Sequence, residues 1–252
     1  MVMCQSVRRS EASKSIPENI GQSNSNTTIS VRKVENKEDL LRLYNVRWKG
    51  YAKYFTSKEE IVDKCDFAPN VTLLIAEDGH RKPVGTLRIL DREYGSIELD
   101  QFVDVDCLLP QGETRCAEVT RFSVPPHPQA RLIKHLLWKA YLLYCMKNKI
   151  NIMVMSGRPV VARAYRALLF DDLGPSGVYY HSKLGNLEHR CFICNISQKK
   201  EVLKRANRTL YDFFFKKHHP TIKKACYKRF MPKNFFMRIK LQQNNYNQSN
   251  IL

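Results

Sequence analysis

Between residues 117 and 155 the chain follows a pattern that few architectures accept. A strand-like run, Ala117 to Val124, is stopped by Pro125 and Pro126. An amphipathic stretch opens at Pro128 and carries Ile133, Leu136, Leu137, Ala140, Tyr141 and Tyr144 on one stripe to about Asn148. A short run, Ile150 to Met155, is then apolar throughout. Three- and four-residue spacing is helical, and a short run with no polar face is that of a strand covered on both sides. Strand, helix and buried strand in succession predict an α/β domain, one mixed sheet with helices on both faces.

The flanking sequence extends the pattern. Ile29 to Val34 reads as a short strand, and Asn36, ahead of Glu38 and Asp39, reads as a helix cap. Leu40, Leu43, Tyr44, Arg47, Tyr51 and Tyr54 follow at helical spacing. Ser57 and Glu60 have capping-box spacing for a second short helix ending near Lys64. Val71 to Glu77 and Pro83 to Leu90 are β runs separated by Glu77-Asp78-Gly79, and Ile97 to Val105 is a less regular strand. Ser156-Gly157 turns into a helix from about Pro159 to Phe170, which Gly174 to Gly177 breaks. Val178 to His181 and Cys191 to Ile196 form a terminal β pair.

Charge divides the chain. Residues 199–240 hold 14 Lys/Arg and two acids, Glu201 and Asp212, a balance of +12. The first 198 residues hold 28 basic and 22 acidic groups, a balance of +6, so most of the +18 belongs to a tail. The expected division is a disordered polar leader over 1–28, the α/β domain over 29–198, a basic amphipathic extension over 199–241 and an Asn/Gln-rich disordered tail over 242–252. Within the extension, Val202 to Phe214 reads as an amphipathic helix. Arg8 and Arg9 lead into no apolar segment, no run approaches the roughly 20 residues that span a bilayer, and the eight cysteines are scattered. A cytoplasmic protein with reduced thiols is expected. Cys191 and Cys194, three apart in a strand, point to opposite faces, which suits two separate thiols better than a metal or redox pair.

Four charges stand where the pattern calls for core. Glu118 and Arg121 lie on the strand before the long helix, and strand alternation puts 118, 120 and 122 on one face and 119, 121 and 123 on the other. Arg88 sits within Gly85-Thr86-Leu87-Arg88-Ile89-Leu90, and Arg47 lies on the first helix's apolar stripe beside Trp48. Buried charges need partners, a ligand or a wet cleft. They point to a pocket for anions and polar groups, or to a structural ion-pair network.

Arg47-Trp48, Tyr51, Asp63 and Asp66, then Gly85 to Leu90, then Glu118-Val119-Thr120-Arg121-Phe122, resemble the acyl-homoserine-lactone (autoinducer) synthase pattern. More closely still they resemble the N-acyl amino acid synthases, which share that core with looser motifs. Both are branches of the GNAT acyltransferase superfamily, and the resemblance spans roughly residues 31–196. Thr120 stands where autoinducer synthases carry Ser and keeps the hydroxyl. The ordinary GNAT glycine-rich turn, whose bare amides hold the pyrophosphate of coenzyme A, is replaced by Pro125-Pro126-His127-Pro128-Gln129-Ala130-Arg131. That departure favours acyl-acyl-carrier protein over a coenzyme A thioester as donor, with no permanently bound cofactor and no metal.

The resemblance implies an N-acyltransferase moving a medium- or long-chain fatty acyl group to the amine of an amino acid or derivative. Glu118 is the implied base and Tyr165 the candidate proton donor to the leaving thiolate. Arg88 and Arg121, with Thr120 and Phe122, would organise the acceptor pocket. Arg47 and Trp48 would close over it, and Asp63 or Asp66 would bind the acceptor's ammonium. The basic tail suits a strongly acidic acyl carrier protein, then an anionic membrane surface, and least well nucleic acid. An autoinducer synthase and an ornithine-type aminolipid acyltransferase are the enzymatic rivals. A nucleic-acid or membrane-binding module with a degenerate core is the other.

Overall fold

The computed structural model describes residues 28–168 and 170–227. The expected tail over 242–252, and all but Thr28 of the expected leader, lie outside the described residues. The chain begins with β1 (Ser30–Lys33) and α1 (Lys37–Tyr51), where the Asn36 side chain accepts the Asp39 amide, as a helix cap does. The antiparallel pair β2 (Val71–Glu77) and β3 (Pro83–Asp91) comes next, then the short α2 (Val105–Leu108) and β4 (Cys116–Ser123). The long helix α3 (Ala130–Lys147) crosses over to β5 (Ile152–Gly157), which lies parallel to β4. The rest is α4 (Ala162–Ala167), β6 (Asp171–Asp172), β7 (Val178–His181), β8 (Leu187–Asn195), α5 (Ile196–Ala206) and α6 (Arg208–Tyr211).

The strands make one mixed sheet in the order β1-β2-β3-β4-β5-β8-β6, with β7 also paired to β8. Each inner strand divides its apolar residues between two cores. Leu73, Ile75, Leu90, Ile152 and Val154 meet Leu40 and Leu43 of α1 on one face. Leu74, Leu87, Ile89, Met153 and Met155 meet Ile133, Leu137 and Tyr141 of α3 on the other. That two-sided burial is why Ile150 to Met155 shows no polar alternation. Cys191 lies in the first core and Cys194 in the second, both as free thiols, so the expected separation of the pair holds.

Several local expectations are corrected. Ser57 and Glu60 form no capping box; Glu60 accepts from Thr56, ahead of a 3-10 turn at Glu59–Ile61. Ile97 to Val105 is not a strand. Its amides turn to carboxylates and local carbonyls instead of a ladder: Asp100 takes that of Ile97, Glu118 takes those of Glu98 and Leu99, and Gln101, Phe102 and Val103 donate to carbonyls within the turn. Pro159 to Phe170 is a 3-10 turn followed by the short α4, and β7 pairs with Leu187 to Arg190, ahead of the stretch expected.

The basic segment is no separate extension over the residues described. The expected boundary at 198 falls inside α5, and the expected single helix breaks at Asn207, whose side chain caps α6 by accepting the Leu210 amide. Phe214, Ile222 and Cys226 join the α3-side core. The Val31 amide donates to the Thr221 carbonyl at 2.8 Å, and the Lys223 amide donates back to the Val31 carbonyl at 2.9 Å. Lys139 of α3 is buried, and its ammonium caps this segment through the carbonyls of Phe213 and Lys217. Among the described residues no helix is long and apolar enough to cross a membrane.

Candidate active site

A single irregularity in β4 organises the site. Arg88 faces Thr120 and Thr86 faces Ser123, so β4 carries one residue more than β3. Arg121 takes up the excess with φ of 50°, a left-handed conformation that costs a long side chain about 1–3 kcal/mol. The bulge overturns the expected alternation. Arg121 joins Glu118 and Thr120 on the α1 face, whereas Phe122 turns to the α3 face, its ring 5.1 Å from that of Trp138. Ser123 returns to α1, donating to the Val46 carbonyl at 3.3 Å. Gly50 makes that approach possible, because a Cβ there would lie 2.1 Å from the Ser123 hydroxyl. The carbonyls of Arg121 and Phe122 are held by Thr86 (3.2 Å) and Tyr51 (2.9 Å).

The arginines expected in the core are there, and they are matched. Arg47 donates to Asp66 at 2.5 Å, and Arg88 donates to the other oxygen of Asp66 at 3.1 Å. Arg88 also reaches Glu98 at 2.7 Å, Asp63 at 3.3 Å and the Thr120 hydroxyl at 2.7 Å. Arg121 donates to Asp63 and lies 3.1 Å from Glu98 Oε1. Three guanidinium groups thus face three carboxylates. Burial would raise Asp63 and Glu98, but the charges of Arg88 and Arg121 outweigh it and hold both well below the usual carboxylate range.

Glu118 is the fourth carboxylate and has no cation of its own among the described residues. Its Oε2 accepts the amides of Glu98 (2.6 Å) and Leu99 (3.2 Å), and its Oε1 has no hydrogen-bond partner among the described residues. Burial, and then the negative charge of Glu98, push it up to about 8.

The β4–β5 ladder ends at Val119 and Met155, and beyond it a cleft of about 870 Å³ opens between the strands. Its polar half, on the α1 side, has Tyr51, Glu98, Arg121, His181 and His189. Its apolar half has Phe122, Trp138, Tyr165, Leu168 and Leu210, with exposed Arg131 and Lys134 also on its wall. Tyr165 lies against the end of β5: a Cβ on Gly157 would come within 2.6 Å of its ring. Burial raises the Tyr165 hydroxyl, so it keeps its proton.

The sequence-derived candidates therefore separate into two groups. Thr120, Arg121, Phe122 and Tyr165 line the cleft. Arg88, Arg47, Asp63 and Asp66 lie behind that wall in the ion-pair network, Glu118 is buried beside it on backbone amides, and Trp48 packs in the α1-side core. Arg47 and Trp48 thus do not close over the cleft. Asp66 has both oxygens engaged by arginines and is not open to an ammonium, and Asp63 is likewise held by Arg88 and Arg121. The stripe that carries Arg47 faces inward, where only a carboxylate can follow it.

Sequence reasoning missed Glu98 and the two histidines. His181 Nε2 lies 3.6 Å from Glu98 Oε1, and the His181 and His189 rings are 5.1 Å apart. His189 Nδ1 lies 2.9 Å from the Leu187 carbonyl; with the proton on Nδ1, Nε2 carries the lone pair. Burial lowers His189, which favours the neutral ring. The available signal was His181 at the end of one expected strand and His189 two residues ahead of the other.

The segment before α3 uses two of its amides internally. The Gln129 amide donates to His127 Nδ1 at 3.1 Å and the Ala130 amide to the His127 carbonyl at 2.9 Å, so both are spent within the turn.

No curated protein sequence matches the chain. Among solved structures, FeeM, an N-acyl amino acid synthase from uncultured soil microbes, is similar over 69% of this chain and 94% of its own, with 16% identity and a TM-score of 0.59. A GNAT-family acetyltransferase from Staphylococcus aureus Mu50 is similar over 67% and 99%, at 11% identity and a TM-score of 0.47. Escherichia coli ElaA is similar over 66% and 99%, also at 11% and 0.47. The sequence model of the FeeM N-acyl amino acid synthases matches residues 41–185, from α1 past the end of β7, and so takes in the bulge, the ion-pair network and most of the cleft. The chain belongs to the FeeM N-acyl amino acid synthase family and is an acyltransferase on a GNAT-like fold.

Proposed function

We propose that the protein moves a medium- or long-chain fatty acyl group from acyl-acyl-carrier protein to the amine of an amino acid or amino-acid derivative. The observation that carries this reading is the two-sided cleft. Its polar half offers Arg121, His181 and His189 to the polar groups of an acceptor, and its apolar half offers Phe122, Trp138 and Leu168 to an alkyl chain. Between them, β4 beyond Val119 has lost its β5 ladder, leaving a backbone edge where a thioester carbonyl can meet amides near Phe122 to Val124.

In the proposed reaction the amine nitrogen attacks the thioester carbon, the C–N bond forms and the C–S bond breaks. The acceptor attacks as the free amine, its ammonium proton having gone to solvent; the proton then leaving nitrogen passes through water to Glu118, two residues from Thr120 on the same strand face, while Tyr165 protonates the departing thiolate and is reprotonated through solvent as Glu118 gives up its proton. Glu118 suits a base because its proton affinity lies near working pH. Glu118 also anchors the turn that brings Glu98 to the cleft.

The spent amides before α3 support a donor whose phosphate is met by side chains, and Arg131 and Lys134 are placed for that. Replacement of Lys134 by Glu should lower kcat/KM for an acyl-carrier-protein substrate about tenfold at low salt, through weaker steering of an acidic partner. The effect should shrink as salt rises and be small with a short, uncharged acyl thioester. An equal loss with both donors would remove carrier docking from the account. Replacement of Gly157 by Ala should push the Tyr165 ring aside and reduce kcat on the order of a hundredfold with little change in melting temperature. An unchanged kcat would remove Tyr165 from the chemistry. The function itself is tested by mass spectrometry of lipid extracts from cells overproducing the protein, with Glu118→Gln as control. N-acyl amino acids present only with the unaltered protein are expected; their absence would overturn the proposal.

A further inference from the structure

Trp138 and Leu168 each border two spaces. On one side is the apolar half of the cleft. On the other is a small, partly open recess of about 30 Å³ walled by Leu142, Met153, Phe170, Cys194, Phe214 and Phe215. Lys199 also touches this cavity, but its ammonium turns away to Asp171 at 2.6 Å, so what the cavity offers is apolar. Two of its walls, Phe214 and Phe215, belong to the π-helical turn at Asp212–Lys216, outside residues 41–185 that the family model matches. The partition is a firm one. Trp138 is almost fully buried and is packed by four aromatic rings, those of Phe122 (5.1 Å), Phe170 (5.5 Å), Tyr141 (6.0 Å) and Tyr165 (6.3 Å).

We infer that Trp138, backed by Leu168, is the stop that sets the longest acyl chain the protein accepts, and that the cavity beneath the C-terminal segment is a blocked extension of the acyl channel. This rests on the acyl-transfer reading above. An alkyl chain advancing along Phe122 and Leu168 gains apolar contact with each methylene until it meets the indole. It then has nowhere to go, because close-packed interiors yield little to an extra methylene. Removing the indole joins the two spaces and lets the chain pass beneath Phe214.

The test is calorimetric binding of a homologous series of saturated fatty acids to the full chain. In the unaltered protein affinity should rise roughly fourfold per added methylene, up to a break beyond which longer chains gain nothing. In Trp138→Ala the break should move to a longer chain. Leu168→Ala opens the same partition from a half-buried helix end, and it serves where the indole deletion costs too much stability. Adding Leu142→Trp to either variant refills the cavity and should return the break to its original length. A break that stays in place in a folded variant would overturn the stop while leaving acyl transfer intact. Failure of the unaltered protein to bind any member of the series would overturn both.

Discussion

Replacement of Asp66 by Ala is expected to leave the chain largely unfolded, at a cost of about 3–5 kcal/mol. Asp66 is fully buried, and its two oxygens neutralise two guanidinium groups that are themselves fully buried, those of Arg47 and Arg88. Deleting it strands the Arg47 charge away from water and leaves Arg88 with only Glu98 and Asp63. Arg47→Met should be much milder, because Asp66 keeps Arg88 and the methionine fills part of the same space. The ranking separates a paired network from simple loss of packing. Thermal or urea unfolding reads it, and an Asp66→Ala protein no less stable than Arg47→Met would contradict the network described here.

Glu118→Gln carries the largest expected effect on turnover, a loss of about 10²–10⁴-fold with the protein still folded. Glutamine keeps an oxygen to accept the Glu98 and Leu99 amides but cannot accept the substrate's proton. The stability of this variant should also depend less on pH. In the folded protein Glu118 is raised from the ordinary glutamate value of 4.5 to about 8, so the folded state holds a proton that the unfolded state releases. Folding stability therefore falls as pH rises through that window and levels off above it. Asp63 and Glu98 are shifted the other way, contribute stability above the ordinary carboxylate range and lose it on acidification, but they do so in both proteins. The unaltered protein should consequently fall behind Glu118→Gln between pH 5 and 8, measured as the difference in unfolding free energy. A constant difference across that range would mean that Glu118 is ionised throughout.

Strands and helices that answer to one dominant neighbour were legible in the sequence. The stripe of α3, the two-sided burial of β5 and the Asn36 cap each leave a local pattern, and the structure keeps all three. The charges written into β3, β4 and α1 likewise announced a buried polar centre. Its geometry was hidden because it depends on one extra residue. Period-2 alternation assigns Arg121 to the wrong face, and only pairing with β3 reveals the bulge that turns it toward Asp63 and Glu98. Glu98 was concealed for a related reason, since its segment satisfies its amides through side-chain carboxylates and so reads as a poor strand. Net charge misled in its own way. The +12 segment reads as an appendage until Lys139, Val31 and the α3-side core tie its first part to the domain.

The central claim is that the cleft between β4 and β5 joins a fatty acyl chain to an amino-acid amine. Its most direct test is incubation of the purified protein with acyl-acyl-carrier protein and a mixture of amino acids, followed by mass spectrometry of both carrier and small molecules. The expected result is carrier protein returned with a free thiol, together with an equal amount of a single class of N-acyl amino acid, neither of which forms with Glu118→Gln. Free thiol without acylated amine, or products of equal yield with the variant, would contradict it.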